Sequence, residues 1–307
     1  MTPYFNPDYQ QFQDKTVREL AWVLASPPLL HHPSFLPYSW FQEQYNRSLP
    51  WLNTLDKNPE PLQQFLKGKN TKRLGKYFES LLEFWFTESR LFSIILSNYQ
   101  LVDKKQTIGE LDFIVKENAS GKVYHLEVAV KFYIQDGSGK EFMQWIGPNA
   151  VDRLAFKYDK LSKKQLKLLD HPKIKDILSE YNIHEIERKS ILKGFLFYDS
   201  LESNEIPDSF HKQHLRGKKY FYSQFLQWSQ VELSFLLVEK PGWFSIPETN
   251  DNLEWMTIDQ AKQYVCQRMA VIPMSFMLIA YNEALQETYR IMIVPNSWPE
   301  SNILQRV

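Results

Sequence analysis

The sequence is poor in the residues that define several protein classes. Its 307 residues include one cysteine, Cys266, so no disulfide can form within the chain and we expect a reducing compartment. It has 10 glycines, and we find neither a phosphate-cradling glycine loop nor a dinucleotide-binding fingerprint. The 7 histidines lack the spacing of a zinc site. These absences argue against a disulfide-stapled secreted domain, a Rossmann-type nucleotide-binding domain and a zinc protein.

Long apolar runs and an excess of one charge are also missing. The longest apolar run, residues 269–280, has about a dozen residues and contains Pro273, whereas a membrane span needs roughly 20. The N-terminus shows no basic region followed by an apolar one, so we expect no secretory signal. Lysine and arginine number 36, as do aspartate and glutamate, so a nucleic-acid site would have to be a local patch. We therefore expect a cytoplasmic protein with no membrane partner.

Apolar and aromatic residues, in contrast, are abundant. Hydrophobic residues make up 43% of the chain, which is enough for a sizeable core. Residues 1–69 are predicted to form a helical segment, residues 70–200 a core, and residues 201–307 an α+β extension that ends in a hairpin. The extension is either a separate domain or a continuation of the core, and the sequence leaves both possibilities open.

The core is predicted to be of the α/β class, with a mixed sheet flanked by helices. Its first helix is indicated by one apolar stripe, formed by Leu74, Phe78, Leu81, Leu82 and Trp85. Short connections between the first three strands favour antiparallel neighbours. The predicted elements are a helix over 71–89, strands over 91–102, 107–115 and 122–134, a helix over 149–169 and a strand over 190–200.

Two of these strands carry charge at the centre of one face. In "GELDFIV", residues 109–115, Glu110 and Asp112 share a face, and in "VYHLEVAVKFY" Glu127 and Lys131 share a face. One interpretation is a half-exposed sheet face with a cross-strand ion pair worth a few tenths of a kcal/mol. The other is a cation site, because Mg²⁺ favours one or two carboxylates together with waters and substrate phosphate.

These residues resemble the PD-(D/E)XK nuclease superfamily, which has the restriction-endonuclease-like fold. The resemblance lies in an acid on the first helix, the "GELD" motif and an acid followed by a lysine on the next strand, in the superfamily's order of elements. More narrowly, the chain resembles a bacterial family, the domain of unknown function eighteen-fifty-three, from residue 17 to residue 299. The stretches that carry the narrower resemblance are "VRELAWVLASPPLL", "LGKYFESLLEFW", "GELDF", "HLEVAVKFY", "IGPNAVDRL" and "YRIMIVPNSWP".

The superfamily resemblance implies a role for individual residues. Asp112 matches the metal-binding aspartate, Glu127 the acid of the acid-x-lysine pair, and Glu79 the first-helix acid near the metal. With the main-chain carbonyl of Val128, these acids would hold Mg²⁺ or Mn²⁺. Lys131 would be the catalytic lysine, and we favour it over other lysines because it lies on the same strand face as Glu127. It departs from the superfamily pattern because it stands about 13 Å along the strand from the acid rather than about 7 Å, so it needs a bulge or a strong twist near Ala129 to reach the site.

A second set of residues is predicted to contact substrate. Lys157 on the second helix is a substitute for the displaced lysine, and Gln165 interrupts the apolar stripe of that helix. Lys72 and Arg73 belong to a basic cluster before the first helix, where they could bind phosphates. For most lysines of the second helix, a solvated charged face is the better interpretation.

Two functions therefore stay open at this stage. One is a metal-dependent nuclease, or a related phosphodiesterase, that acts on DNA or RNA. The other is a nucleic-acid- or protein-binding module that has kept the fold and lost the activity, which the displaced lysine favours. The retained acids favour the nuclease, because carboxylates on a buried sheet face are costly without a cation or a partner.

Overall fold

A computed structural model gives the protein's architecture. It describes residues 8–200, 206–229, 232–246, 253–285 and 287–300. Within these residues the chain is of mixed α/β type, with eight α-helices and nine strands. No helix among them is long and apolar enough to cross a membrane.

The chain divides into two compact units. The first unit contains Pro7–Val130 and Phe156–Lys193, and the second contains Lys131–Ala155 and the chain from Gly194 onward. Two strands, β3 (Val123–Gln135) and β5 (Glu187–Tyr198), contribute residues to both units. The division into residues 1–69, 70–200 and 201–307 was predicted as a set of domains, and it stays a prediction.

The first unit begins with helices, as the sequence predicts. They are α1 (Lys15–Ala25), α2 (Tyr38–Lys57), α3 (Glu60–Lys67) and α4 (Leu74–Glu88). The α1 helix starts where the Asp14 carboxylate accepts hydrogen bonds from the main-chain N–H groups of Thr16 and Val17. In α4 the predicted stripe is buried at Phe78, Leu81, Leu82 and Trp85. The predicted helix over 71–89 is thus present but starts a few residues later.

Three long strands follow α4 and confirm the antiparallel prediction. They are β1 (Phe92–Asp103), β2 (Gln106–Glu117) and β3 (Val123–Gln135). β2 pairs with β1 on one side and with β3 on the other, both antiparallel. The sheet continues from β3 to β5 (Glu187–Tyr198), the fourth strand of the predicted core.

The second predicted helix differs from the expectation in its geometry. The expected continuous helix over 149–169 is an α-helix, α5 (Leu154–Asp159), followed by a π-helical turn at Lys160–Lys164 and a 3₁₀ turn at Gln165–Asp170. A separate helix, α6 (Pro172–Glu180), comes next. Since a π turn takes more residues than an α turn, it shifts every later side chain around the helix axis.

The buried stripe of this segment changes accordingly. The predicted stripe includes Gln165, but after Leu161 the next buried positions are Leu166 and Leu169. The prediction was wrong here because it assumed a constant period of 3.6 residues. The shift leaves Gln165 at the edge of the core, where its amide can reach a polar partner.

The second unit carries the remaining strands. β5 and β6 are parallel, β6 and β9 are parallel, and β9, β8 and β7 follow as antiparallel neighbours. The antiparallel pair of β8 and β9 confirms the predicted hairpin. The elements are β4 (Trp145–Ile146), β6 (Leu215–Phe221), α7 (Tyr222–Leu226), β7 (Leu233–Val238), α8 (Ile258–Val271), β8 (Phe276–Asn282) and β9 (Glu287–Val294).

A glycine in β5 gives a sharp test of this sheet. Gly194 has a φ of 137°, and a Cβ there would lie 1.7 Å from the carbonyl oxygen of Lys131. We expect Gly194→Ala to lower the free energy of unfolding by about 3 kcal/mol or more, because the strands must separate. Urea unfolding followed by circular dichroism measures the change.

The matched control for this substitution lies in α4. A Cβ on Gly75 would have no atom within 4 Å, so Gly75→Ala should raise the free energy of unfolding by about 0.5–1 kcal/mol. If both variants unfold at the urea concentration of the wild type, the close approach at Gly194 is refuted.

Candidate metal centre

The candidate site lies where β2 and β3 stop pairing. Their register runs from Lys116 opposite Val123 to Phe113 opposite Leu126, and Asp112 is the next residue along β2. There the main-chain N–H of Val128 donates to Asp112 Oδ2 at 2.8 Å. A side-chain carboxylate thus takes the place of a main-chain acceptor at the end of the ladder.

Asp112 and Glu127, the two acids predicted to bind metal, are brought into contact at this point. Glu127 is fully buried, Asp112 is 8% exposed, and the two carboxyl groups lie within hydrogen-bonding reach of each other. Burial raises the pKa of Asp112 to about 7, and the negative charge of Glu127 adds to the rise. Burial also raises the pKa of Glu127 to about 7, against the hydrogen bonds from Asp112. Near neutral pH the pair therefore retains protons that isolated carboxyl groups would have lost.

Glu127 is held at both of its oxygens. His125 Nε2 lies 2.8 Å from Oε1, and Gln165 Nε2 donates to Oε2. Burial lowers the pKa of His125 to about 4, so the ring is neutral and Nε2 is the donor to the carboxylate. The other polar atoms of these two side chains, His125 Nδ1 and Gln165 Oε1, are buried and have no hydrogen-bond partner within the described residues. An orphaned amide oxygen beside two acids is suited to a cation or a water.

The helical segment after β3 supplies positive charge. Lys157 on α5 is half-buried, while the lysines at 160, 163, 164 and 167 are exposed. The charge of Lys157 acts against the rise in pKa of both Asp112 and Glu127, and Lys160 acts in the same way on Glu127. The π turn between α5 and Gln165 lets one segment present both a lysine and an amide to the acid pair. Turns of this kind are frequent at functional sites.

Glu79, the predicted first-helix acid, has a cation of its own. Lys76, one helical turn earlier on α4, donates to Glu79 Oε2 at 2.5 Å and lies 3.5 Å from Glu110 Oε1. Burial raises the pKa of Glu79, and the charge of Asp112 adds to the rise against the hydrogen bond from Lys76. Glu79 is thus linked electrostatically to Asp112, one acid of the pair.

The remaining predicted site residues are Lys131, Lys72 and Arg73. Lys131 belongs to the second unit, where its Nζ donates to Asp152 Oδ2 at 2.5 Å, beside the hydroxyl of Tyr133 at 3.1 Å from the same oxygen. Lys72 and Arg73 are exposed in the turn that precedes α4. Of the two candidate lysines, Lys157 is the one whose charge acts on the pKa of both acids.

The donor set limits which metal would fit. Within the described residues, no group of three or more histidine, cysteine, aspartate or glutamate side chains could hold a metal ion. Two carboxylates, with the Val128 carbonyl that the sequence predicts as a third ligand, would suit Mg²⁺ or Mn²⁺, which keep several waters and bind substrate phosphate. Zinc prefers a closed set of nitrogen and sulfur ligands. The residues present therefore fit a hard, oxygen-seeking cation.

Comparisons with known proteins identify the family. A family model described as Domain of unknown function (DUF1853) matches residues 18–294, so the chain belongs to this family. A search of curated proteins and a search of solved structures returned no match.

The acid pair makes stability depend on pH. Because folding raises both pKa values from about 4 to about 7, the folded chain holds more protons than the unfolded chain between these limits. Stability due to the pair therefore falls as pH rises from about 4 to about 7. We expect Asp112→Asn, which keeps an acceptor for Val128, to raise the free energy of unfolding by about 1 kcal/mol or more at about pH 8. Urea unfolding with a chelator present measures this, and the gain should shrink at about pH 5.

Asp159→Asn on α5 is the control, since this half-exposed carboxylate forms a surface ion pair with Lys163. It should change stability by no more than about 0.5 kcal/mol at either pH. A loss of stability in Asp112→Asn at about pH 8 would contradict the proposed repulsion within the pair.

Proposed function

We propose that this protein is a Mg²⁺- or Mn²⁺-dependent phosphodiesterase that cleaves nucleic acid, built on a PD-(D/E)XK core. The observation that carries the proposal is the contact between two buried carboxyl groups, those of Asp112 and Glu127, whose pKa values are raised. Such a pair is costly by itself, and a divalent cation would offset both the burial and the repulsion. The order of helix, three antiparallel strands, helix and strand supports the choice of superfamily.

Each residue has a distinct part in this proposal. Asp112, Glu127 and the main-chain oxygen of Val128 would hold the ion. A bound Mg²⁺ or Mn²⁺ would polarise a phosphate oxygen and lower the pKa of water. His125 and Gln165 fix the orientation of Glu127 by donating one hydrogen bond to each of its oxygens. A carboxylate held at both oxygens keeps its geometry without an energetic cost at the moment of reaction.

Lys157 is the lysine that we assign to the phosphate. The proposal is supported by the charge of Lys157, which acts on both carboxyl groups of the pair. An ammonium in this position stabilises the negative charge that develops on phosphate during cleavage. Lys131 shares the strand face of Glu127 but stands too far along the strand, and its ammonium is engaged with Asp152. We therefore prefer Lys157.

Nucleic acid is the substrate class that the surrounding charge favours. The chain as a whole has no net charge, yet exposed basic side chains gather in the first unit on the segment that contains Lys157 and in the turn before α4. Contacts of lysine and arginine with phosphates position a nucleic acid without reading its sequence. The exposed basic residues are Lys72, Arg73, Lys160, Lys163, Lys164 and Lys167.

A binding module without activity is the second candidate. It is favoured by the lack, within the described residues, of a group of three ligating side chains, and by the engagement of Lys131 with Asp152. Such a module would bind nucleic acid through the same basic side chains. It would not need an acid pair that responds to a divalent cation.

Metal binding and cleavage together test the first candidate. Wild type should bind Mn²⁺ in calorimetry at about pH 8 and should cleave single- or double-stranded DNA or RNA when Mg²⁺ or Mn²⁺ is present. Asp112→Asn and Glu127→Gln should lose both properties while keeping the wild-type circular dichroism spectrum, because each removes an anionic ligand. Asp103→Asn, on β1 and paired with Lys173, is the control and should keep both. Nucleic-acid binding without cleavage, equal in wild type and variants, would support the module instead.

Two lysine variants test the assignment of the ammonium. Lys157→Met keeps the length of the aliphatic side chain and should lower the cleavage rate by about 10²-fold or more with little change in Mn²⁺ affinity. Lys131→Met should leave the rate within a few-fold of wild type, because its partner is Asp152. Single-turnover cleavage measures the rate without product release. A large loss in Lys131→Met and none in Lys157→Met would reverse the assignment.

A further inference from the structure

Lys76 lies in a cradle of oxygen atoms supplied by three elements. Its Nζ is 2.5 Å from Glu79 Oε2 on α4, 3.4 Å from Asn98 Oδ1 on β1 and 3.5 Å from Glu110 Oε1 on β2. We call these three side chains the lysine cradle. Two carboxylates and an amide oxygen are also ligands that hard divalent cations take. The cradle is therefore a cation site whose cation is covalently attached to the protein.

The lysine cradle is electrostatically linked to the acid pair. Burial alone would lower the pKa of the Lys76 ammonium, but its hydrogen bond to Glu79 and the negative charges of Glu110 and Asp112 raise it. In turn, the Lys76 charge acts against the rise in the pKa of Asp112. The ammonium thus stays charged at neutral pH and acts on an acid outside its own cradle.

We propose that the Lys76 ammonium supplies the second positive charge of this site, so that the protein binds one divalent cation and not two. This inference rests on the proposed function, because it assumes the first ion at Asp112 and Glu127. Phosphodiesterases with two metals use the second ion to stabilise charge on the far side of the phosphate. In this chain the acids available for a second ion, Glu79 and Glu110, already bind Lys76.

A simple helix ion pair is the plainer interpretation of Lys76 and Glu79. They stand three residues apart on α4, and exposed pairs of this kind contribute about 0–1 kcal/mol. Two features go beyond such a pair: the Glu79 side chain is only 17% exposed, and Lys76 has further partners on two strands. A helix ion pair would not change how many metal ions the protein binds, so stoichiometry separates the two interpretations.

The number of bound Mn²⁺ ions is the direct test. It is counted by electron paramagnetic resonance and by calorimetry at about pH 8, with Mn²⁺ alone and no substrate. Wild type should bind one ion, and Lys76→Met should bind two, because Glu79 and Glu110 lose their cation. Lys76→Arg keeps the charge and should still bind one. Lys76→Gln, which also lacks the charge, replaces the methionine variant if that variant does not fold.

Lys69→Met is the matched control. Lys69 also forms an ion pair with an α4 glutamate, its Nζ lying 2.9 Å from Glu83 Oε2. Removal of this lysine leaves one carboxylate without its ammonium, yet creates no group of acids around it. The variant should bind one Mn²⁺, as wild type does. A second ion in Lys69→Met would show that loss of any α4 lysine has this effect, and would overturn the inference.

The possible results separate the inference from the proposed function. Two ions in wild type, or one ion in both wild type and Lys76→Met, would refute the role of Lys76 while leaving the Asp112–Glu127 site intact. Failure of wild type and Asp112→Asn alike to bind Mn²⁺ would refute the proposed function. The inference, which assumes that ion, would fail with it, whereas one ion in both wild type and Lys76→Met would overturn the inference alone.

Discussion

The hydrogen bond from the Val128 N–H to Asp112 is the constraint on which the candidate site depends. A buried main-chain N–H at the end of a strand ladder needs an acceptor, and here the acceptor is a carboxylate from the neighbouring strand. The bond holds Asp112 against β3 and so beside Glu127, the residue before Val128. Because the partner is the main chain, the position of the carboxylate is fixed by the strands and not by a flexible side chain.

The acids around this hydrogen bond differ in whether a positively charged side chain pairs with them. Lys76 pairs with Glu79 and Glu110, whereas Asp112 and Glu127 accept hydrogen bonds from neutral donors. Neutral donors orient a carboxylate but supply less compensation for burial than an ammonium does, which agrees with the raised pKa values of the pair. The first unit thus contains acids that pair with an ammonium and acids that accept hydrogen bonds from neutral groups. Under the proposed function, this division favours the Asp112–Glu127 pair over Glu79 and Glu110 as the place where a divalent cation would bind.

Much of the site could be predicted from the sequence because strands have a strict period of two. That period places Asp112 on the charged face of β2 and Glu127 on that of β3, and antiparallel neighbours bring such faces together. The helical segment after β3 could not be predicted equally well. Its π turn shifts the buried stripe from Gln165 to Leu166. The turn consists of Lys160–Lys164, with the sequence KLSKK, and the helix propensities of these residues do not distinguish a π turn from an α turn.

The choice of lysine shows where reasoning from spacing fails for a physical reason. Spacing gives the position of Lys131 along β3 and the face on which it lies, but its rotamers allow it to reach any acceptor within several ångströms. The Lys131 ammonium donates a hydrogen bond to Asp152, which lies in the loop region after β3. Because the two residues are far apart in the sequence, no local sequence pattern could predict this contact. Lys157 lies on a helical segment whose orientation depends on tertiary packing, so only the folded chain shows its effect on Asp112 and Glu127. The positions of two acids on neighbouring strands can therefore be predicted from the strand period. The partner of a long, flexible lysine side chain depends on which acceptors the fold brings within its reach.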